Sequence, residues 1–163
     1  MDTENVHKVI FDCNIFAQAL MNPIGPAGAC VQAAFNGQIT LFIADFVISE
    51  IRDLPNKPTP AKAGVTPKKA EDLVQLLLLK AEYISDVPAV FAHPIDEDDS
   101  AYVNLALATD AKLIVSRDRH LLNLGNPAKP WSADFRVRFP DLRIISAEQL
   151  LAEIRQVDKP EGI

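Results

Sequence analysis

The chain of 163 residues has the length of one globular domain, for which ~150 residues is usual. Hydrophobic residues make up 48% of the sequence and charged residues 23%, which excludes an intrinsically disordered chain. The formal net charge of −6 disfavours a protein that holds duplex DNA by neutralising its phosphates, but it does not exclude a nuclease whose carboxylates bind divalent cations.

The sequence carries no pattern for secretion, membrane insertion or disulfide formation. Met1–Asn5 is polar and acidic, so we expect no secretory signal. The longest run of leucines, Leu76–Leu79, is far shorter than the ~20 apolar residues that span a membrane. Cys13 and Cys30 are too few for a disulfide framework or a cysteine-rich zinc site. These features predict a reduced, cytoplasmic protein.

The first half of the chain predicts two strands and three helices. In chain order these are the strand Val6–Phe11, the helix Ala27–Phe35, the strand Leu41–Ala44, the helix Phe46–Leu54 and a helix from Pro67 to about Tyr83. The first strand is a short apolar run followed by Asp12, which is typical of a buried parallel strand. Asp45 and Thr66 are expected to cap the helices that follow them. The proline-rich stretch 55–67 predicts a loop or a broken helical hairpin.

The second half continues the alternation of strands and helices. In chain order it predicts a short strand within Ile84–Phe91, a helix from Asp96 to about Thr109, the strand Lys112–Ser116, a short helix Arg117–Leu124, the strand Arg143–Ile145 and a C-terminal helix. Residues 125–141 are irregular, and Ser146 with Gln149 forms a capping box for the last helix. Strands that alternate with helices predict an α/β fold, a three-layer α/β/α sandwich with a mainly parallel central sheet.

Acidic residues lie where the predicted strands end. Asp12 follows the first strand, Glu50 lies about one turn into the helix after the second, and Asp118 follows the fourth strand. Asp99 lies at the start of the helix that precedes the fourth strand. Ligands of open parallel sheets bind in the crevice outside the carboxyl ends of the strands. We therefore expect these four acids to point toward one edge of the sheet.

A cluster of carboxylates has an electrostatic cost that metal binding offsets. Two carboxylates ~4 Å apart repel by about 4 kcal/mol at an effective dielectric constant of ~20, so their pKa values rise or cations bind. Oxygen ligands alone favour Mg²⁺ or Mn²⁺ over zinc. Carboxylates that hold divalent ions are typical of phosphoryl chemistry. Asp45, Glu97 and Asp98 are interpreted instead as charges that stabilise helix N-termini.

Four blocks of sequence around these acids carry a family resemblance. They are Asp12-Cys13-Asn14, Ser49-Glu50-Ile51, Asp96–Ala108 and Ala111–Leu122. Together they resemble the PIN domain family of compact metal-dependent nucleases, and the last block is the most specific match. The resemblance covers residues 6–151 and implies that residues 1–163 form a single PIN-like domain.

The resemblance also implies an activity and a set of site residues. By position, the catalytic and metal-binding acids would be Asp12, Glu50, Asp99 and Asp118. The supporting polar residues would be Asn14 and Ser116, with Asp96 at the periphery. The implied enzyme is a Mg²⁺- or Mn²⁺-dependent endoribonuclease that cleaves single-stranded RNA. Many bacterial members are toxins held inactive by a small antitoxin protein.

Basic residues must hold the RNA, since the acids cannot. The residues predicted to contact it are Arg117, Arg119, Lys57 and Lys62. Arg117 departs from the small residue that the family often has there, and the segment Asn126–Asp141 is longer than a minimal member requires. Residues 131–139 interleave aromatic and basic types, which suits base stacking, but a loop that buries Trp131 and Phe139 is equally compatible with the pattern.

Other functions fit the sequence less well. A haloacid-dehalogenase-type phosphatase needs a second aspartate where Asn14 stands, and a dinucleotide-binding fold needs a glycine-rich loop after the first strand. A metal-free ribonuclease needs two histidines, and only His120 lies near the predicted edge. The alternative that stays open is a non-catalytic PIN-like module that binds RNA or a protein. The leucine-rich helix is expected to supply core residues, including Leu76 and Leu78, and a surface for a homodimer or an antitoxin.

Overall fold

The computed structural model describes residues 7–158, and within them five strands alternate with nine α-helices. The strands are β1 (His7–Phe11), β2 (Ile39–Ala44), β3 (Glu82–Ile84), β4 (Leu113–Val115) and β5 (Arg143–Ile145). The helices are α1 (Cys13–Met21), α2 (Pro26–Phe35), α3 (Asp45–Asp53), α4 (Pro58–Lys62), α5 (Pro67–Lys80), α6 (Ser100–Thr109), α7 (Arg119–Leu122), α8 (Ala133–Arg138) and α9 (Ala147–Asp158). The polar N-terminal residues and Val6 lie outside the described range.

All five strands are parallel, in the order β3-β2-β1-β4-β5. Strand β1 lies at the centre, where Val9 pairs with Leu41 of β2 on one side and with Leu113 of β4 on the other. The chain therefore builds one half of the sheet outward from β1 and then crosses to the other side. The strand order reverses at β1, and this is the place where ligands of such sheets bind.

Helices cover the sheet and complete its hydrophobic core. Helix α6 packs on β1, β2 and β4, while α2 contacts both α1 and α9. Strand β1 is apolar because both of its faces are covered, and Val9, Ile10 and Phe11 are buried. Burying each such side chain stabilises the fold by about 1.5–3 kcal/mol. The predicted three-layer α/β/α architecture is confirmed.

Helix α1 begins directly after β1, in a stretch to which the sequence patterns assigned no element. Asp12 is the N-cap residue, and its Oδ1 accepts a hydrogen bond from the backbone N–H of Ile15 at 3.2 Å. No glycine or proline separates the strand from the helix, so the turn signals that mark other boundaries are missing here. Asp12 thus ends the strand and begins the helix at once.

Two predicted boundaries on the β3 side of the sheet were wrong. The helix expected to reach Tyr83 ends at Lys80, because residues from Glu82 onward pair with β2 instead. The short strand was expected within Ile84–Phe91, but β3 lies earlier in the chain and ends at Ile84. Asp45 does not cap α3: it is the first helical residue, and its carboxylate accepts a hydrogen bond from the Tyr83 hydroxyl.

A short helix in the proline-rich stretch fits the broken helical hairpin, the segment 125–141 expected to be irregular also contains one, and one core prediction fails. Helix α4 lies in the proline-rich stretch and α8 in the segment 125–141, where Trp131 and Phe139 are half-buried against the core. The aromatic residues on either side of α8 therefore pack on the domain. On α5, Leu77 is buried, but Leu76 and Leu78 are each 44% exposed because they lie on the outer face of the helix. Within the described residues, no helix is long and apolar enough to cross a membrane.

Candidate active site

The four predicted acids meet at one open cleft of about 240 Å³. The residues that line it are Asp12, Cys13, Asn14, Glu50, Lys57, Asp98, Asp99, Tyr102 and Asp118. They come from the turn after β1, from α3 and its C-terminal turn, from the start of α6 and from the end of β4. The expectation that these acids share an edge of the sheet therefore agrees with the structure.

Asp12 is held at the base of the cleft and is only 3% exposed. Its backbone N–H donates to the carbonyl of Val115, which ties the end of β1 to β4. Its Oδ2 accepts a hydrogen bond from the hydroxyl of Ser116. Burial raises the pKa of Asp12 to about 6 although this hydrogen bond acts in the opposite direction. A carboxylate so placed is favoured in its charged form by a nearby cation.

Ser116 links two of the acids and is fully buried. Besides donating to Asp12, its Oγ accepts a hydrogen bond from the backbone N–H of Asp118 at 2.8 Å. The Oδ1 of Asp118 in turn accepts from the backbone N–H of His120 at 2.7 Å and caps α7. Ser116 therefore contacts both acids without lining the cleft itself, and the supporting role expected for it stays a prediction.

Asp99 has the most unusual carboxyl environment of the four acids. It is 8% exposed, and its Oδ2 is buried without a hydrogen-bond partner. Burial, followed by the charges of Asp118, Asp96 and Asp12, raises the pKa of Asp99 to about 7. Buried polar atoms are normally paired, and an unpaired one is stabilised by a proton or a cation. The buried oxygen therefore fits a cation ligand.

Glu50 is positioned by a residue to which the sequence analysis gave no role. The hydroxyl of Tyr102 donates to the Oε2 of Glu50 and accepts from the backbone N–H of Cys13 at 3.0 Å. Burial, and then the charge of Glu50, holds the pKa of Tyr102 far above its usual value, so the phenol stays protonated as a donor. A sequence signal existed, since Tyr102 lies one helical turn after Asp99 and faces the same side.

Cys13 lines the cleft but is not a candidate nucleophile. Burial raises the pKa of its thiol to about 12, with a further contribution from the charge of Glu50. The thiolate is the reactive form of cysteine, and it is not populated near neutral pH at such a pKa. The acids are therefore the groups in the cleft that can carry chemistry.

The predicted basic residues separate into two groups. Lys57 lines the acidic cleft, whereas Arg117 lines a different cavity beside Gly25 and Glu148. Lys62 and Arg119 are exposed, on α4 and α7, and neither lines the cleft. The structure thus brings only Lys57 of this set to the cleft wall.

Asp96 lies with His120 at one side of the cleft. The Oδ2 of Asp96 is 3.3 Å from the Nδ1 of His120, and these two residues and Asp99 each offer one ligand atom within 4.8 Å of the others. In the part of the chain that the structure describes, this is the single group of three histidine, cysteine or acidic residues so close together. The four predicted acids are more widely spaced, which suits a hydrated Mg²⁺ that keeps several of its waters.

Comparisons with known proteins identify the family and the fold. A family model of the PIN domain matches residues 8–120. The VapBC2 proteins of Rickettsia felis, solved in a crystal structure bound to a DNA fragment from their promoter, include a chain similar to this one. That similarity has a TM-score of 0.53 at 14% sequence identity and covers 85% of this chain and 98% of that chain. No curated protein matches the sequence significantly. The family match spans well over half of the 163 residues and includes the whole stretch from Asp12 to Asp118. The chain therefore belongs to the PIN domain family.

Proposed function

We propose that the protein is a Mg²⁺- or Mn²⁺-dependent endoribonuclease that cleaves single-stranded RNA. The observation that supports this most strongly is the convergence of Asp12, Glu50, Asp99 and Asp118 on one cleft. Two of these acids are buried with raised pKa values, and the cleft lies at the switch point of a parallel sheet. Perturbed titratable groups in a cleft are typical of functional sites.

The same four acids would hold the divalent cation. The unpartnered Oδ2 of Asp99 and the all-oxygen donor set fit Mg²⁺ or Mn²⁺. When bound, such an ion supplies Lewis acidity and positive charge beside the phosphate group. Asn14 lies in the cleft wall, where its amide can donate to an RNA oxygen.

The remaining residues of the cleft position the reactants. Ser116 holds Asp12, and Tyr102 holds Glu50, so both carboxylates are fixed before RNA binds. A carboxylate of the cleft can accept a proton from a water molecule that attacks the phosphorus. In that reaction a new P–O bond forms to the water oxygen, and the bond to the leaving nucleotide oxygen breaks. Lys57 contributes a positive charge for the phosphate backbone.

We also propose that this nuclease is a cytoplasmic toxin that a cognate antitoxin protein inhibits. The fold similarity to a chain of the VapBC2 assembly supports this partner. On α5, Leu76, Leu78 and Leu79 are exposed, and exposed apolar side chains suit a protein contact surface. The same leucines could instead form the contact of a homodimer. The mass of the purified protein in solution shows whether it is a monomer or a homodimer.

Cleavage of labelled single-stranded RNA tests the proposal. We expect cleavage with Mg²⁺ or Mn²⁺, none with EDTA, and much slower cleavage of the same sequence in a duplex. The purified Asp99→Asn protein serves as the control for a contaminating ribonuclease. Binding of single-stranded RNA without cleavage under any of these conditions would overturn the nuclease assignment and favour a non-catalytic RNA-binding module.

A further inference from the structure

One side of the cleft holds a compact set of ligand atoms that includes a nitrogen. Asp96, Asp99 and His120 each place one such atom within 4.8 Å of the others. The imidazole makes this set chemically different from the four acids, which offer oxygen alone. Imidazole nitrogen suits zinc and other transition-metal ions, whereas Mg²⁺ prefers oxygen ligands.

Hydrogen bonds to His93 hold the backbone of two members of this set, Asp96 and His120. The Nδ1 of His93 accepts the backbone N–H groups of Ile95 and Asp96, each at 3.0 Å. Its Nε2 therefore carries the proton and donates to the carbonyl of His120 at 2.9 Å. His93 is 5% exposed and joins the loop of Asp96 to helix α7. Outer hydrogen bonds of this kind orient metal ligands in proteins.

The unpaired oxygen of Asp99, the acid that both sets share, is a second observation that points to a cation ligand. Asp99 is more than nine-tenths buried, and its Oδ2 has no hydrogen-bond donor. By contrast, Asp12 is also buried, but both of its oxygens accept hydrogen bonds. A buried carboxylate oxygen without a donor is destabilising unless a cation or a proton satisfies it.

We propose that Asp96, Asp99 and His120 form a second cation position, which takes a transition-metal ion such as Zn²⁺ or Mn²⁺. One oxygen from each carboxylate and the Nδ1 of His120 are the protein ligands, and water fills the remaining positions. Asp99 is shared with the four-acid set, so the two positions are adjacent. This ion binds without RNA, and a set of oxygen ligands alone does not favour a transition metal over Mg²⁺. The second position is therefore distinct from the proposed RNA cleavage.

The competing interpretation is that His120 and Asp96 only form a hydrogen bond with each other and bind no metal. NMR distinguishes this hydrogen bond from metal binding. The chain has three histidines, so long-range ¹H–¹⁵N spectra of the imidazoles are simple to assign with single variants. Zn²⁺ added to metal-free protein should shift the Nδ1 resonance of His120 and leave His93 in its Nε2–H form. The shift should be absent from His120→Gln and present in the control His7→Gln, since His7 lies at the opposite end of β1. A Zn²⁺ titration that leaves His120 unchanged in the wild type overturns the proposal.

Calorimetric titration with the metal alone gives the second measurement. His120→Gln should weaken Zn²⁺ binding by about tenfold or more and leave Mg²⁺ binding unchanged, and Asp96→Asn should weaken Zn²⁺ binding more than Mg²⁺ binding. Glu50→Gln should do the reverse, because Glu50 belongs to the four-acid set and not to this one. Equal Zn²⁺ affinity in the wild type and His120→Gln would contradict the proposal. Failure of RNA cleavage would not, since both measurements are made without RNA; circular dichroism confirms that each variant folds.

Discussion

The hydroxyl of Ser116 donates a hydrogen bond to the Oδ2 of Asp12, a residue 104 positions earlier in the chain. This bond joins the carboxyl ends of β1 and β4 and favours the charged form of Asp12, which burial disfavours. The ionised form of Asp12 thus depends on a correctly paired sheet.

We expect Asp12→Asn and Asp99→Asn each to lower RNA cleavage by about 100-fold or more, since each removes a carboxylate from the reaction site. Both variants should fold, and without metal both should be more stable than the wild type because a buried charge in a repulsive cluster is gone. Single-turnover cleavage and thermal unfolding measure the two effects. Asp72→Asn, an exposed acid on α5, is the matched control. Near wild-type cleavage in both site variants would refute the assigned role of these acids.

The metal-free protein should lose stability as the pH rises from about 4 to about 7. Asp12 and Asp99 have pKa values of about 6 and about 7, above the ordinary value of 3.8, so the folded state binds more protons than the unfolded state in this window. Stability then falls with rising pH, by about 1.4 kcal/mol for each pKa unit and group, and the loss is complete above the folded pKa.

Urea unfolding in EDTA at about pH 5 and about pH 7.5 measures this loss. Asp99→Asn should lose less stability than the wild type between these two values. Mn²⁺ should cancel part of the loss, because a cation that binds the ionised carboxylates of the folded state stabilises it. Parallel pH profiles for the wild type and Asp99→Asn would show that this carboxyl is not perturbed.

Tyr102→Phe should reduce cleavage by about tenfold through Glu50, because it removes the donor that orients the carboxylate and leaves the ring in place. Glu50→Gln should cost more, and the double variant should cost little beyond Glu50→Gln alone. Single-turnover rates for the four proteins of this cycle provide the measurement. Additive effects of the two changes would mean that Tyr102 acts independently of Glu50.

Lys57→Ala should weaken RNA binding and reduce its salt dependence by about one phosphate contact, a change of ~0.7 in the log–log slope for a single strand. Lys62→Ala is the matched control, since Lys62 is exposed on α4 and does not line the cleft. Arg119→Ala tests whether the RNA also crosses α7. RNA affinity is measured at several salt concentrations, with Ca²⁺ present to block cleavage. Equal slopes for the two lysine variants would exclude a phosphate contact at Lys57.

The elements that sequence patterns predicted best are those with strong local signals. Strand β5 has the predicted bounds, and the capping box is confirmed by reciprocal hydrogen bonds between Ser146 and Gln149. The convergence of the four acids followed from one rule about parallel strands, which needs only the position of each acid relative to a strand end. Their catalytic roles stay predictions until cleavage is measured.

Features that depend on distant contacts were not predicted. The hydroxyl of Tyr102 finds Glu50 across 52 residues, and no local pattern records that pairing. Lys57 and Arg117 are both basic residues predicted to contact RNA, yet Lys57 lines the acidic cleft and Arg117 lines a different cavity. Sequence periodicity gives the face of an element on which a residue lies, whereas tertiary packing decides what that face meets.

The order of strands has a consequence for the protein during its synthesis. Asp12 and Glu50 are made early, but Asp118 follows β4, which pairs with the open side of β1 only after residue 113 is made. At 5–20 residues per second, roughly 3–14 s separate the synthesis of Glu50 from that of Asp118. A nascent chain that does not yet include Asp118 has no complete cleft. A ribosome that stalls within this interval therefore carries an unfinished, inactive site with one edge of β1 unpaired.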